Sequence, residues 1–320
     1  MTENEGPEHI AFLLIRDFTH IAFACALEPL RIANLLSGRT LYRWSLVSED
    51  GRQAVCSSGL ALKVDRGLAP LARGDRLYVI SGIHVRERLT PAVLDYLRRE
   101  QRRGVAVGAI CSGAYALARA GLLRDEPCAI HWEFHDAFTE EFPDVVLRRS
   151  VFVAEGAVET ASGGPAAADL MLHRIAERHG ADLATAVADQ MVYNAVRDSQ
   201  AGQRISLGAR TGLPSEAVKR AIALMESHVE DPIPTATIAA LVGLSSRQLE
   251  RLFGKYLNAS PKKYYNDLRL SRARNLLQQT DMTMTDVAVA CGFASASHFA
   301  RSYRQTYGVT PTTQRAIRAR

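Results

Sequence analysis

The chain of 320 residues is 47% hydrophobic and 23% charged, with a net charge of +5, a soluble globular composition long enough for two domains with ordinary cores. Nothing in it resembles a membrane span or an export signal, because the opening MTENEGPEH is polar and acidic rather than basic and then apolar, so a cytoplasmic location is expected. Five cysteines, Cys25, Cys56, Cys111, Cys128 and Cys291, are odd in number and lack CxxC or zinc-like spacing, which argues against a disulfide framework or a structural metal; no metal and no cofactor are expected.

The first two hundred residues alternate apolar runs with helical patterns, predicting an α/β domain with a largely parallel sheet flanked by helices. IAFLLI from Ile10, RLYVISG from Arg76 and GVAVGAI from Gly104 read as strands. Helices are expected over residues 22–36, 91–103, 112–120, 165–178 and 183–196, the last as a packing or pairing helix. Arg98, Arg99, Arg102 and Arg103 form a charge run whose helical context predicts a solvated outer face. A polar interval near residues 197–215, with Gly202, Gly208, Gly212 and Pro214, reads as a linker. The expected division is residues 1–200 as a first domain, 201–216 as linker and 217–320 as a second domain.

Within the first domain Cys111 stands between the buried strand GVAVGAI and the helix opening SGAYALA, the position of a nucleophile elbow. A residue on such a turn is expected to show its side chain at the carboxyl edge of the sheet, beside free N–H groups that favour anions and lower a thiol pKa.

The second domain contains one pattern twice. IAALVGLSSRQLERLF starts at Ile238 and VAVACGFASASHFARSY at Val287; Ala239 and Gly243 recur 49 positions later as Ala288 and Gly292, and Leu249 and Phe253 recur at 50 as Phe299 and Tyr303. A short helix, a glycine turn and a second helix form a helix-turn-helix, which places its second helix in a major groove. Small residues permit the close helix crossing, and each glycine allows the left-handed turn. The outer faces present Arg247, Glu250 and Arg251 in copy one and Ser297, His298, Arg301 and Arg304 in copy two, residue types that reach base edges or phosphates.

Between the copies, Ser260 and Pro261 open a helical connector running to about Gln279, with Tyr265, Leu268, Leu276 and Leu277 on a buried side and Lys262, Lys263, Arg269, Arg272 and Arg274 as a basic remainder. Thr283 with Asp286 is a further start signal. Residues 217–320 hold 15 Lys and Arg against 7 Asp and Glu, net +8, whereas residues 1–216 hold 24 against 27, net −3. That asymmetry is the electrostatic footprint of a nucleic-acid module joined to something else.

The run GFASASHFARSYRQTYGVTP, residues 292–311, is similar to the signature of the AraC/XylS family, and the resemblance covers about residues 218–318. It implies a seven-helix domain with both recognition helices on one DNA face, roughly 10 base pairs apart. Ala296 and Ser297 are small where relatives often carry larger polar residues, so copy one is expected to carry more of the specificity.

In chain order, strand, AICSG and then AIHW at residues 129–132 resemble the DJ-1/PfpI and glutamine-amidotransferase-like superfamily over roughly residues 10–196. The joined architecture is similar to AraC regulators that carry this domain as a sensor. A cysteine hydrolase of that superfamily would need Cys111, His131 and an oxyanion hole at the Ser81-Gly82-Ile83 turn. The acid such enzymes place after the first strand falls near Ala22, and Glu28, beside Pro29, reads as structural. A ligand cradle of Gly82, Ile83, Cys111, Ser112, His131, Trp132 and Glu133 is therefore expected, with no catalytic residue assigned.

The elbow suits a carboxylate, while Trp132 can stack a cation that Glu133 neutralises, a pairing for a zwitterion. LYRWSLVS from Leu41, IHWEF from Ile130 and SGGPAAADLMLH from Ser162 are most similar to the betaine-, carnitine- and arginine-responsive type. The resemblance implies a homodimeric activator with promoter DNA, RNA polymerase and a small nitrogen-containing effector as partners, and no membrane. Two alternatives stay open: a cysteine-dependent hydrolase or glyoxalase-like enzyme fused to a DNA-binding domain, and an architectural DNA binder with an empty first domain.

Overall fold

The computed structural model describes residues 6–203 and 215–318, and the chain divides into two compact units, residues 1–203 and 204–320. Most of the polar interval expected as a linker, Gly208, Gly212 and Pro214 included, lies outside the described residues. The first unit is built on a six-stranded sheet ordered β2-β1-β5-β6-β8-β7. Its strands are β1 (Glu8–Leu14), β2 (Tyr42–Val47), β5 (Arg76–Ile80), β6 (Ala106–Ile110), β7 (Phe152–Val153) and β8 (Glu159–Ala161), and β3 (Gln53–Val55) with β4 (Ala61–Lys63) forms a separate hairpin. All pairings in the large sheet are parallel except β7 with β8.

Strand β1 shows why the sheet is buried on both sides. Ile10, Phe12 and Leu14 join one core, and Ala11, Leu13 and Ile15 join the other, the two-faced burial that crossover helices impose on parallel strands. One face is covered by α1 (His20–Ser37), α6 (Pro165–His179) and α7 (Ala181–Gln190); the short α2 (Val85–Arg88), with α3 (Pro91–Arg102), α4 (Ala114–Arg119) and α5 (His135–Glu141), covers the other. Leu14, Ile80 and Ile110 stand in register at the carboxyl ends of β1, β5 and β6. The loops that follow these strands therefore converge on one edge, where open α/β sheets bind ligands.

One expectation is corrected here. The helix expected over residues 183–196 stops at Gln190, because Val192 takes a positive φ of 53° and buried Asp169 on α6 captures the Tyr193 hydroxyl at 2.9 Å and the Arg197 backbone N–H at 3.0 Å. The arginine run on α3 stands on an outer face as expected, with Arg99, Arg102 and Arg103 exposed, and from there it also clasps the fold. Arg98 donates to the Ala120 carbonyl, Arg99 to that of Leu68 and Arg103 to that of Leu71, around a fully buried Glu100 that accepts the Leu71 N–H at 2.9 Å.

The second unit contains α8 (Glu216–Ser227), α9 (Thr235–Leu241), α10 (Ser246–Leu257), α11 (Pro261–Gln279), α12 (Met284–Ala290), α13 (Ala296–Tyr307) and α14 (Pro311–Arg318). It has two small cores. Leu249, Phe253 and Tyr265 pack with α8 and α9 in the first, and Leu276, Leu277, Phe299 and Tyr303 pack with α12 in the second. Helix α11 contributes to both, with Tyr265 and Leu268 near its start and Leu270 to Leu277 beyond, so it holds the two helix-turn-helix units as one spacer.

Candidate effector cavity and DNA-binding surface

At the carboxyl edge of the sheet the first unit holds a partly open cavity of about 370 Å³, within the size range of small-molecule sites. Its walls include Thr19 after β1, Gly82 and Ile83 after β5, Cys111 after β6, the His131–Phe134 segment and the Ser162–Ala166 segment after β8. Of the seven expected cradle residues six line it. Ser112 does not: it is fully buried and its hydroxyl donates to the Gly82 carbonyl at 2.6 Å, tying two walls together.

Cys111 has the strained backbone of an elbow, with φ of 63°. Its side chain, expected to be exposed, is only 5% accessible, because Gly163 closes over it: a β-carbon on Gly163 would lie 2.7 Å from the Cys111 Cβ. Burial pushes the thiol pKa up, against lowering from Thr19 and from the Ser112 backbone N–H, while the Glu133 carboxylate raises it further. The expected lowering by the helix terminus is overturned, since α4 is only six residues long and follows a 3-10 turn at Cys111–Gly113. Desolvation wins over so small a dipole.

The side-chain partner of the thiol is the Thr19 hydroxyl, at 3.5 Å. Thr19 lies three residues before Ala22, the position near which the resemblance puts an acid, while Glu28 pairs with Arg31 on the exposed side of α1. His131 is held by its backbone N–H to the Cys111 carbonyl at 3.3 Å, and its ring lies 3.6 Å from Glu133 and 5.6 Å, centroid to centroid, from Trp132. Burial pushes the His131 pKa down and Glu133 opposes it. Among the described residues the side-chain partner of Cys111 Sγ is the Thr19 hydroxyl rather than a base or acid.

Thr19, Ile21, the Gly163-Gly164-Pro165 turn, Arg197 and Gln203 line the cavity without having been assigned to it from sequence. The paired glycines before Pro165 were a usable signal, because both adopt positive φ, 95° and 55°. Arg197 had none.

In the second unit every expected DNA contact is exposed: Arg247, Glu250 and Arg251 on α10, Ser297, His298, Arg301 and Arg304 on α13, and Lys262 and Lys263 at the start of α11. Arg247 and Arg251, and likewise Ser297, Arg301 and Arg304, lie at helical spacings that share one face. Arg247, Arg251, Arg301 and Arg304 make no side-chain hydrogen bond or ion pair among the described residues, whereas Lys263 pairs with Asp267 at 3.3 Å. A capping box of Ser245 with Gln248 opens α10, and Ser295 caps α13. Both turn glycines have left-handed backbones, Gly243 at 76° and Gly292 at 68°.

Part of the basic remainder expected on α11 is structural instead. Arg269 donates to the carbonyls of Cys291 and Gly292 at 2.8 and 2.5 Å and sits 4.1 Å above the Phe293 ring, clamping the turn of copy two. Arg274 lies over Tyr307, and Arg272 reaches toward Glu230 at 4.0 Å.

The sequence matches the DJ-1/PfpI family over residues 9–177 and a helix-turn-helix domain over residues 238–317. It is 42% identical to the HTH-type transcriptional regulator GbdR of Pseudomonas aeruginosa, over 98% of this chain and 85% of that one. The chain belongs to the AraC-type transcriptional regulators with an N-terminal DJ-1/PfpI domain. A second regulator of this family, CdhR of Pseudomonas aeruginosa, is 40% identical over 96% of this chain and 91% of its own length. Among solved structures, an AraC family transcriptional regulator from Pseudomonas putida superposes with a TM-score of 0.54 at 28% identity, covering 58% of this chain and 100% of that one. Membership in this family makes the chain a DNA-binding regulator, and among the described residues no helix is long and apolar enough to cross a membrane.

Proposed function

We propose that this regulator is a one-component cytoplasmic switch: a homodimer whose first domain binds a small zwitterionic nitrogen metabolite at the Cys111 cavity, and whose paired helix-turn-helix units hold promoter DNA and activate RNA polymerase there. The observation that carries this reading is the cavity itself, lined by a buried thiol whose side-chain partner among the described residues is a threonine hydroxyl rather than a base or acid, on a chain whose second unit is a duplicated DNA reader. Trp132 supplies an aromatic face for a quaternary or primary ammonium group, and Glu133 supplies the compensating carboxylate. Gly82, Ile83, Cys111 and His131 complete the walls, and Ser112 acts by positioning Gly82. The switch requires that the effector distinguish two arrangements of the protein, since equal affinity for both would shift nothing.

Isothermal titration of the full chain with glycine betaine, carnitine, dimethylglycine and arginine tests the effector. Heat from at least one of them, with promoter affinity changing in the same direction in gel shift, is expected; silence from all would overturn the ligand reading. Turnover of a thioester or dicarbonyl substrate that disappears in Cys111→Ala would instead favour the enzyme.

A further inference from the structure

One wall of the cavity comes from a segment that the α/β fold does not require. After α7 the chain turns back over residues 191–203, and Arg197 and Gln203 of this strap line the same cavity as Cys111 and Trp132. The strap is fastened from beneath. Asp169, 1% exposed on α6, accepts the Tyr193 hydroxyl and the Arg197 N–H on Oδ1, and holds Arg197 Nε at 2.9 Å and Nη2 at 2.7 Å on Oδ2. At its far end Gln203 Nε2 donates to the carbonyls of Ile130 and Ser150 at 2.8 and 2.9 Å, while Gln203 Oε1 is buried without a donor among the described residues.

A guanidinium is a planar fork of five donors. The Nε edge of Arg197 is taken by Asp169, and among the described residues Nη1 has no partner, so the remaining edge is available on the cavity wall. That edge matches the two oxygens of a carboxylate. Among the described residues it is also the one permanently cationic side chain on a wall whose other charged groups are Glu133 and the titratable His131. We propose that Arg197 is the carboxylate-binding residue of the effector cavity, and that occupancy is read through the strap it belongs to, whose last described residue, Gln203, leads into the segment before the DNA-binding unit. This deepens the reading of the cavity as an effector site and rests on it. A carboxylate on the open edge gives the strap a second tether beside Asp169, so the bound form differs from the empty one in how firmly residues 191–203 are held.

The test compares glycine betaine with choline, which has the same cationic group and no carboxylate, by titration of full-length wild type, Arg197→Gln and Asp169→Asn. Wild type should prefer glycine betaine, and Arg197→Gln should weaken it by about tenfold to a hundredfold, the size of a charged hydrogen-bonded contact, while choline affinity stays unchanged. Asp169→Asn can keep the Oδ1 acceptor for Tyr193 and the Arg197 N–H, while its amide NH2 cannot accept from the guanidinium, so the ion pair and the hydrogen bonds on Oδ2 are lost. Because Arg197 keeps its charge and its open edge, this variant should retain the preference. Hydrogen exchange of residues 191–203 should slow on adding glycine betaine to wild type and not to Arg197→Gln. Equal betaine affinity in wild type and Arg197→Gln would overturn the role of Arg197 and leave the cavity reading standing. Equal losses in both variants would reduce Arg197 to a fastening of the strap. No binding of any zwitterion of the panel to wild type would overturn the cavity reading, and the inference with it.

Discussion

Cys111 was placeable from sequence because an apolar strand running into SGAYALA is a local pattern, and the positive φ follows from the sharp turn between them. Its protonation was not placeable, because the thiol is covered by Gly163 and bonded by Thr19, residues 52 positions later and 92 earlier in the chain. Burial raises the pKa, so the neutral thiol dominates up to and beyond the ordinary value of 9.0. Alkylation by iodoacetamide, followed peptide by peptide in the mass spectrometer, should therefore be slow at neutral pH and still accelerating above that value, since only the thiolate reacts. A rate that levels off near neutrality would contradict the burial argument. The same distance problem hid Arg197, which approaches the cavity only because Asp169, 28 residues earlier, draws it there.

Elements were legible where their signals are local. Capping residues and turn glycines mark both helix-turn-helix units, and the observed α10 and α13 begin where Ser245 and Ser295 cap them. The two-residue β7 and three-residue β8 were missed, because strands this short carry no alternation to read. The two turn glycines, equivalent in the repeat, are not equivalent in space. A β-carbon on Gly243 would meet nothing within 4 Å, whereas on Gly292 it would lie 2.5 Å from the Pro232 side chain and 2.6 Å from the Val229 carbonyl. Gly243→Ala should then cost only the left-handed backbone penalty, about 1–2 kcal/mol, and Gly292→Ala should cost a further ~1–3 kcal/mol of overpacking. Urea unfolding followed by helical circular dichroism measures both, and equal losses would show that the crowding at Gly292 relaxes freely.

At the scale of the whole molecule, the charge split of +8 against −3 between residues 217–320 and 1–216 foretold which half meets DNA, but not which basic residues do so. Arg269, Arg272 and Arg274 are engaged within the second unit; Arg247, Arg251, Arg301, Arg304 and Lys262 are exposed. Side chains at the centre of a recognition helix and those at its flank should fail differently. Arg251→Ala and Arg301→Ala should each weaken promoter binding by about 1–3 kcal/mol if they grip guanine with both forks, and should relax sequence preference at one position per copy. Lys262→Ala, at the exposed N-terminus of the spacer helix, should weaken all sequences alike and make the slope of log affinity against log salt shallower by about 0.9, the value for one lost phosphate contact. Gel shifts across a salt series on the promoter and on a scrambled duplex separate the two behaviours. Should Lys262→Ala change preference while Arg251→Ala changes only the slope, α10 would be riding on the backbone and the spacer helix would be the element that reads bases.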